Sequence, residues 1–412
     1  MPTQDQEDDR VKIAFEYEET DGLLRSPRVF FYLAVLLAVL TSGCMRSRAV
    51  YAPEIGDANQ VDGAADGSHG DTATAGDDAM GDDATAGDDA MAGDDGNDRM
   101  AGRWIVARMG SDLSLLWTAF SEATFDGQGQ VTDVILSDSA NAGGTTVYTY
   151  TVDADGTLTD ELGYLGAVDS TNNHFGLVDI DPADGVISVL LGTKMSSGKT
   201  LASYNGDFYL LGFGTDNGSA RAALYGLAVD GNGTSAYTTL WDSTGGTAEG
   251  SDPYTVNDDG TGTVSTGDHL TQGILSSDDE VAVGVDTSLS PDALSLQVGI
   301  KQSAGLTNTS ATGVYSMTAI GYNTMTQEVF TTHALLDLDG AGNFTTHSQS
   351  SSPSLPTSGS GTYAVSADGR FQLTMDGYDH DGVIKRDGNI IAVTDVAPSV
   401  DLLTLQVAIR LP

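Results

Sequence analysis

The sequence predicts an all-β protein made of three tandem eight-stranded antiparallel meanders, read as barrels, after a signal peptide and a disordered acidic linker. Three observations predict it. Beyond Met100, short runs rich in Val, Tyr, Thr, Leu and Phe alternate with period two and are broken every 8 to 12 residues by DG, NG, GG or SG pairs. That is the pattern of strands joined by hairpins. No long stretch carries a helical period. The third observation is an internal repeat.

Each repeat opens on Gly, any residue, then an aromatic: Gly102 to Trp104, Gly206 to Phe208 and Gly313 to Tyr315. The turns DGQG, DGNG and DGAG start at Asp126, Asp230 and Asp339, which are 104 and 109 residues apart. YTVDADG, YTVNDDG and YAVSADG start at Tyr150, Tyr254 and Tyr363, again 104 and 109 residues apart. Two unrelated landmarks that shift together mark a duplication. The ends repeat as well, with Asp179, Asp286 and Asp395 in register and closing strands that finish at Lys194, Lys301 and Arg410.

The third copy resolves into eight runs of strand character, from VYSMTAIGY to LTLQVAI. Eight sequential strands on short turns make an up-and-down meander, and closing it removes exposed edges. The alternative is a six-bladed propeller, which would use the same number of strands. The opening Gly-x-aromatic is similar to that of the calycin group, lipocalins and avidins. That resemblance implies a barrel with the aromatic plugging one end and implies no ligand class.

The organisation read along the chain is an acidic extension at 1–22, whose start codon is open to reassignment, then a signal peptide and lipobox at 23–44. An Asp-rich disordered linker covers 45–100, and β repeats cover 101–197, 198–304 and 305–412. Arg25 and Arg28 precede a 12-residue apolar run, Val29 to Leu40. Such a run is too short for a spanning helix, which needs about 20 residues, and suits a secretory signal. The LTSGC that follows resembles a bacterial lipobox, with Thr41 where that motif usually has Leu. The resemblance implies a lipid on Cys44, which is the sole cysteine, so the chain can form no internal disulfide. Met45 after it implies the outer membrane. A secreted protein is the alternative.

With 17 Lys+Arg against 59 Asp+Glu, a formal charge of −42, the chain would be repelled by nucleic acid. The linker, with GDDATAGDDAMAGDDG at its centre, has too little apolar surface to offset ordering entropy. It reads as a self-repelling tether with weak Ca²⁺ association at most, since a specific site needs a fixed oxygen cage.

Chemistry-bearing groups are sparse. Asp337 to Gly342 opens like an EF-hand, but Ala341 and Ser348 replace two obligatory ligands. The Asp-Gly turns therefore read as hairpins, with Asp bonding its own backbone. Gly192 to Thr200 resembles a P-loop with one residue too many and no following helix. His333 and His347 fall in neighbouring strands. Asp376, Asp379, His380 and Asp381 form the densest group of potential metal ligands, in what reads as a surface turn. Asp179, Asp286 and Asp395 read as acceptors where the chain turns. Trp104, Phe208 and Tyr315 read as core plugs or as walls of a ligand cavity. No cofactor or catalytic residue is implied. The expectation is a non-enzymatic cell-envelope lipoprotein whose repeats bind, adhere or scaffold through an unknown surface protein or small ligand. The alternative is a propeller-type hydrolase or a small-ligand-binding protein.

Overall fold

The computed structural model describes residues 96–412 except 113–115, 141–142, 180–185, 217, 267–268, 288–292, 353–357, 376 and 396–401. The signal segment, Cys44 and the linker up to residue 95 lie outside the described residues.

Barrel 1 comprises β1 (Gly102–Ser111), β2 (Leu116–Phe125), β3 (Gln130–Asp138), β4 (Gly144–Val152), β5 (Thr157–Asp160), β6 (Tyr164–Val168), β7 (His174–Asp179) and β8 (Ile187–Lys194). Barrel 2 comprises β9 (Asn205–Asp216), β10 (Ser219–Asp230), β11 (Thr234–Asp242), β12 (Glu249–Val256), β13 (Thr261–Thr266), β14 (His269–Leu275), β15 (Val281–Asp286) and β16 (Ser295–Lys301). Barrel 3 comprises β17 (Gly313–Asn323), β18 (Glu328–Leu338), β19 (Asn343–Ser352), β20 (Ser358–Val365), β21 (Arg370–Met375), β22 (Tyr378–Ile384), β23 (Ile390–Asp395) and β24 (Leu402–Arg410). Every neighbouring pair is antiparallel, and each barrel closes when its last strand bonds its first: Trp104 opposite Lys194, Phe208 opposite Lys301, Tyr315 opposite Arg410. This closure within each repeat rules out the six-bladed propeller.

The seam explains the two motifs that flank each repeat. Gly102, Gly206 and Gly313 have φ of 120°, 117° and 141°, which a side chain would strain. The basic residue of the closing strand passes over them, so that a Cβ would come within 3.3 Å of Lys194, 3.0 Å of Lys301 and 2.8 Å of Arg410. The Lys194 ammonium lies 5.4 Å from the Trp104 ring and that of Lys301 5.6 Å from Phe208, within cation–π range.

Each barrel end is covered by a short 3-10 turn before its first strand: Asn97–Met100, Leu201–Ser203 and Asn308–Ala311. The first of these was expected in the disordered linker. It instead buries Asn97 and Met100, because the barrel end offers them partners: Asn97 Oδ1 accepts from Val152 N at 2.8 Å, and Trp104 Nε1 donates to the Met100 carbonyl at 2.7 Å. The tyrosines that open the second landmark serve the same lids. Tyr150 and Tyr363 hydroxyls donate to the carbonyls of Asn97 and Asn308, and Tyr254 to those of Leu201 and Tyr204. The Asp-Gly turns form as read. Asp126, Asp230 and Asp339 each accept two backbone N–H groups two and four residues on, and these bonds hold their carboxyls below the usual range, together with the side-chain amide of Asn343 at Asp339.

One turn was misplaced. Asp379, His380 and Asp381 lie in β22, and the turn before it is confined to the residues around Gly377 (φ 83°). Pairing of Leu373 with His380 and of Thr374 with Asp379 extends the ladder through the polar segment, which strand alternation tolerates on its outer face.

The outer faces of the barrels are not all solvated. Ile105, Ala107 and Met109 of β1 point away from Trp104 and Val106 and join Val189 and Leu191 of β8. They pack with Leu211, Phe213, Leu296 and Val298 of barrel 2 and Ile320, Leu405, Val407 and Ile409 of barrel 3 in one apolar cluster. The contacts are cyclic. β15 lies on β1 and β2, β7 on β17 and β18, and β23 on β9 and β10, so each seventh strand meets the first hairpin of another barrel. Thr118 Oγ1 donates to the Asp286 carbonyl at 2.5 Å and Thr331 Oγ1 to that of Asp179 at 3.2 Å. Their counterpart in barrel 2 is Ala222, which lies in the shared core. Buried Lys385 of barrel 3 adds an ion bridge, 2.7 Å from Asp278 of barrel 2. Against its burial, bonds from Lys385 and Ser276 hold the Asp278 carboxyl at about 2.

Barrel 1 is filled by Trp104, Phe125, Tyr148, Tyr150, Leu158 and Phe175, and it also holds Arg108 paired to Asp133. Burial pushes the nearby Asp160 carboxyl up to about 6, although it accepts from the N–H groups of Leu162 and Tyr164.

Two outcomes follow. The folded chain holds the Asp160 proton more tightly than the unfolded one, so this contribution to stability is complete below about pH 4 and is lost as pH rises toward 6. Unfolding free energy across that window should fall more steeply in the parent than in Asp160→Asn, by up to about 2 kcal/mol. Leu296→Ala in the shared core should cost about 2–5 kcal/mol. In a Trp241→Phe background, where Trp104 and Trp117 of barrel 1 report, Leu296→Ala in barrel 2 should still lower the denaturation midpoint; an unchanged midpoint would mean that the barrels unfold independently.

Candidate ligand cavity

Register makes the interiors of the three barrels comparable position by position, and barrel 2 carries the smallest residue at most of the large interior positions. Leu158, Gly262 and Phe371 are equivalent, each opposite a glycine of the next strand. Phe175, Ala282 and Ile391 are equivalent, as are Leu177, Gly284 and Val393. So are Phe125, Val229 and Leu338, and the residues they face, Val131, Ser235 and Phe344. The missing volume collects in one cavity of 330 Å³ inside barrel 2, against 10 Å³ in barrel 1. Pockets for small molecules span roughly 300–1,000 Å³.

One contact shows how the space arises. In barrel 1 the Phe175 ring covers Gly192 so closely that a Cβ there would meet it at 2.0 Å. Barrel 2 keeps the glycine, Gly299, but Ala282, which lines the cavity, carries no ring over it, and a Cβ there would meet Ala282 at 3.5 Å and Leu210 at 3.6 Å.

Four tyrosines wall the cavity. At the lid end Tyr204 lies 4.9 Å from the Phe208 ring and 5.2 Å from Tyr254. Tyr225 and Tyr237 meet edge to face at 6.3 Å. Burial raises the Tyr204 and Tyr225 phenols, which keeps them neutral at physiological pH. Ser235, Thr271 and Gln297 supply polar contacts, and Gln297 Nε2 donates to Ser295 Oγ at 2.9 Å.

The end away from the lid is built differently from its sisters. In barrels 1 and 3 Trp117 and Phe330 pack on Gly110 and Gly321, where a Cβ would meet either ring at 2.4 Å. In barrel 2 the equivalent residue is Arg221, opposite Gly214. Its guanidinium pairs with Asp242, with Asp216 at 3.1 Å, and with the Tyr225 hydroxyl at 2.9 Å. Against partial burial, Arg221 and Thr244 hold the Asp242 carboxyl low. A second acid, Asp252, lines the cavity and accepts from Thr266 Oγ1 at 2.9 Å.

The residues singled out in the sequence fall elsewhere. Trp104, Phe208 and Tyr315 are fully buried; Phe208 lies behind Tyr204, and Tyr315 donates to the carbonyls of Ala311 and Gly388. His380 faces inward onto Asp395, while Asp379 bonds Thr374 and Asp381 pairs with Arg370 on the outer face, so those three do not share a face. Asp376 lies outside the described residues. His333 is buried on Ser316, whereas His347 pairs with Leu335 and is exposed, so the two histidines do not meet. Asp395 also accepts from Thr404, and Asp179 and Asp286 close the seventh strands of their barrels, offering backbone carbonyls to the neighbouring barrel. Among the described residues no three metal-ligating side chains gather. The residues that make the cavity were not singled out. Their signal was the difference between aligned copies, such as Gly262 against Leu158 and Phe371.

No known protein family and no curated protein matches this chain. Among solved structures it is similar to transferrin-binding protein B of Haemophilus parasuis, a vaccine antigen in double-mutant form, at 10% identity over 75% of each chain with a TM-score of 0.30. It is similar to transferrin-binding protein B of serogroup B Neisseria meningitidis at 10% identity, over 71% of this chain and 65% of that one, with a TM-score of 0.30. A family 43 glycoside hydrolase of Bacillus licheniformis follows at 9% identity, 72% and 82% coverage and a TM-score of 0.21. Likenesses this distant carry no argument about activity, and the reading of the cavity rests on the residues of this chain.

Proposed function

We propose that the chain is a cell-envelope binding protein, held at the outer membrane by lipid on Cys44 and spaced by its acidic tether. Barrel 2 holds one small, largely apolar ligand, and barrels 1 and 3 are solid supports. The observation that carries the reading is the 330 Å³ cavity in the one repeat whose interior has been emptied at successive equivalent positions. Interiors are normally packed to near-crystalline density, and cavities cost stability unless something fills them. Eight strands enclose a space suited to one small ligand. The binding role rests on the cavity and the envelope location on the sequence around Cys44, so each stands or falls separately.

The neutral fluorophore phenylnaphthylamine tests the cavity. It should bind the parent protein with one site, and Ala282→Phe, which restores the ring that barrel 1 carries over its glycine, should weaken binding by at least about tenfold, or roughly 1.4 kcal/mol. The same variant should unfold at or above the parent temperature. Absence of binding to the parent, or equal binding to Ala282→Phe, would overturn the reading.

A further inference from the structure

We propose that the cavity of barrel 2 takes an organic cation, an ammonium or amidinium group on an apolar or aromatic body, with its charge at Asp252 and its body among the four tyrosines. The proposal rests on the reading of barrel 2 as a ligand site and names the class of ligand.

Charge inside the cavity comes first. Among the described residues, Arg221 and Asp252 are the charged ones that line it. Arg221 is already committed to two carboxylates, Asp216 and Asp242, so that group carries a net negative charge before any ligand arrives. Asp252 accepts a neutral hydroxyl from Thr266, and no ion pair joins it to a cation among the described residues. A carboxylate facing an apolar cavity lowers its energy by pairing with a cation. An anionic ligand would meet the opposite balance.

The sister barrels show that the acid belongs to the cavity and not to the scaffold. The position of Asp252 is Tyr148 in barrel 1 and Gly361 in barrel 3, each opposite the same residue of the third strand. The carboxylate occurs in the barrel with the large cavity.

Barrel 1 also supplies an internal precedent. Its Arg108 points into the barrel, pairs with Asp133, and lies close enough to Tyr148 and Tyr164 to shift both electrostatically. The equivalent residue of barrel 2 is Gly212, beside Gln297 of the cavity wall, as register with the closing strand shows: Arg108 opposite Leu190, Gly212 opposite Gln297. In barrel 2 the position of Asp133 is Tyr237, opposite Leu227 as Asp133 is opposite Ala123, so the acid stands instead at Asp252 and no cation stands where barrel 1 has Arg108. Tyrosine faces favour cations, by about 0.5–2 kcal/mol per contact depending on desolvation. The charge of −42 on the whole chain raises the local concentration of cations further.

Displacement of bound phenylnaphthylamine by benzyltrimethylammonium and by benzenesulfonate, a cation and an anion of similar size, tests the proposal on the full-length protein. The cation should displace the fluorophore at a concentration at least about tenfold lower than the sulfonate. Asp252→Asn keeps an acceptor for Thr266 and removes the charge; it should weaken the cation by about tenfold while leaving affinity for the neutral fluorophore within about twofold. Equal displacement by the two ions, preference for the sulfonate, or an unchanged cation affinity in Asp252→Asn would overturn the cation assignment and leave the binding role standing. Failure of the fluorophore itself to bind the parent protein would overturn both.

Discussion

The structure depends on an apolar cluster that lies outside every barrel and between all three. A closed eight-stranded barrel normally hides its interior and shows water its outer face. Here β1, β8, β9, β16, β17 and β24 carry apolar residues on their outer faces too; in β1, Trp104 and Val106 turn inward while Ile105 and Met109 turn toward the neighbouring barrels. The seventh strands are equally two-sided: every residue of β7 and β23 is buried. Each barrel therefore has two cores, its own and a share of the common one, and a single chain reproduces the cyclic contacts of a trimer.

That arrangement bears on function through stability. An isolated barrel of about 100 residues draws most of its stability from its filled interior, so emptying it is expensive. In this chain barrel 2 is held from outside by the packing of Leu211, Phe213, Leu296 and Val298 on its neighbours. Its interior is free to lose Phe, Leu and Val side chains and become a cavity. The sister barrels keep aromatic fillings and aromatic end plugs, Trp117 and Phe330, where barrel 2 has Arg221. One repeat carries the large cavity, and the other two carry aromatic-filled interiors.

The sequence made the repeat, the eight-strand count, the Asp-Gly hairpins and the closing strands readable, because each rests on local chemistry that recurs three times. The Gly-x-aromatic and the terminal Lys or Arg were visible as separate motifs, and only the closed seam shows that one side chain passes over the other. Three features were hidden for physical reasons. Strand periodicity separates two faces but does not say that both are buried, so IIAVTD and ISVLLGTK gave no warning of a core shared between barrels. The polar run around His380 looked like a turn because strand pairing, not composition, decides how far β22 extends. The cavity was hidden because a site made of absent side chains has no motif. It emerges only when Gly262 is set against Leu158 and Phe371, or Ala282 against Phe175.

Native-state hydrogen exchange followed by mass spectrometry tests the shared core most directly. If the three barrels are one cooperative unit, the amides of β8, β16 and β24 exchange only through global unfolding, with one common free energy and one common dependence on denaturant. Three separate free energies, one for each barrel, would contradict the account.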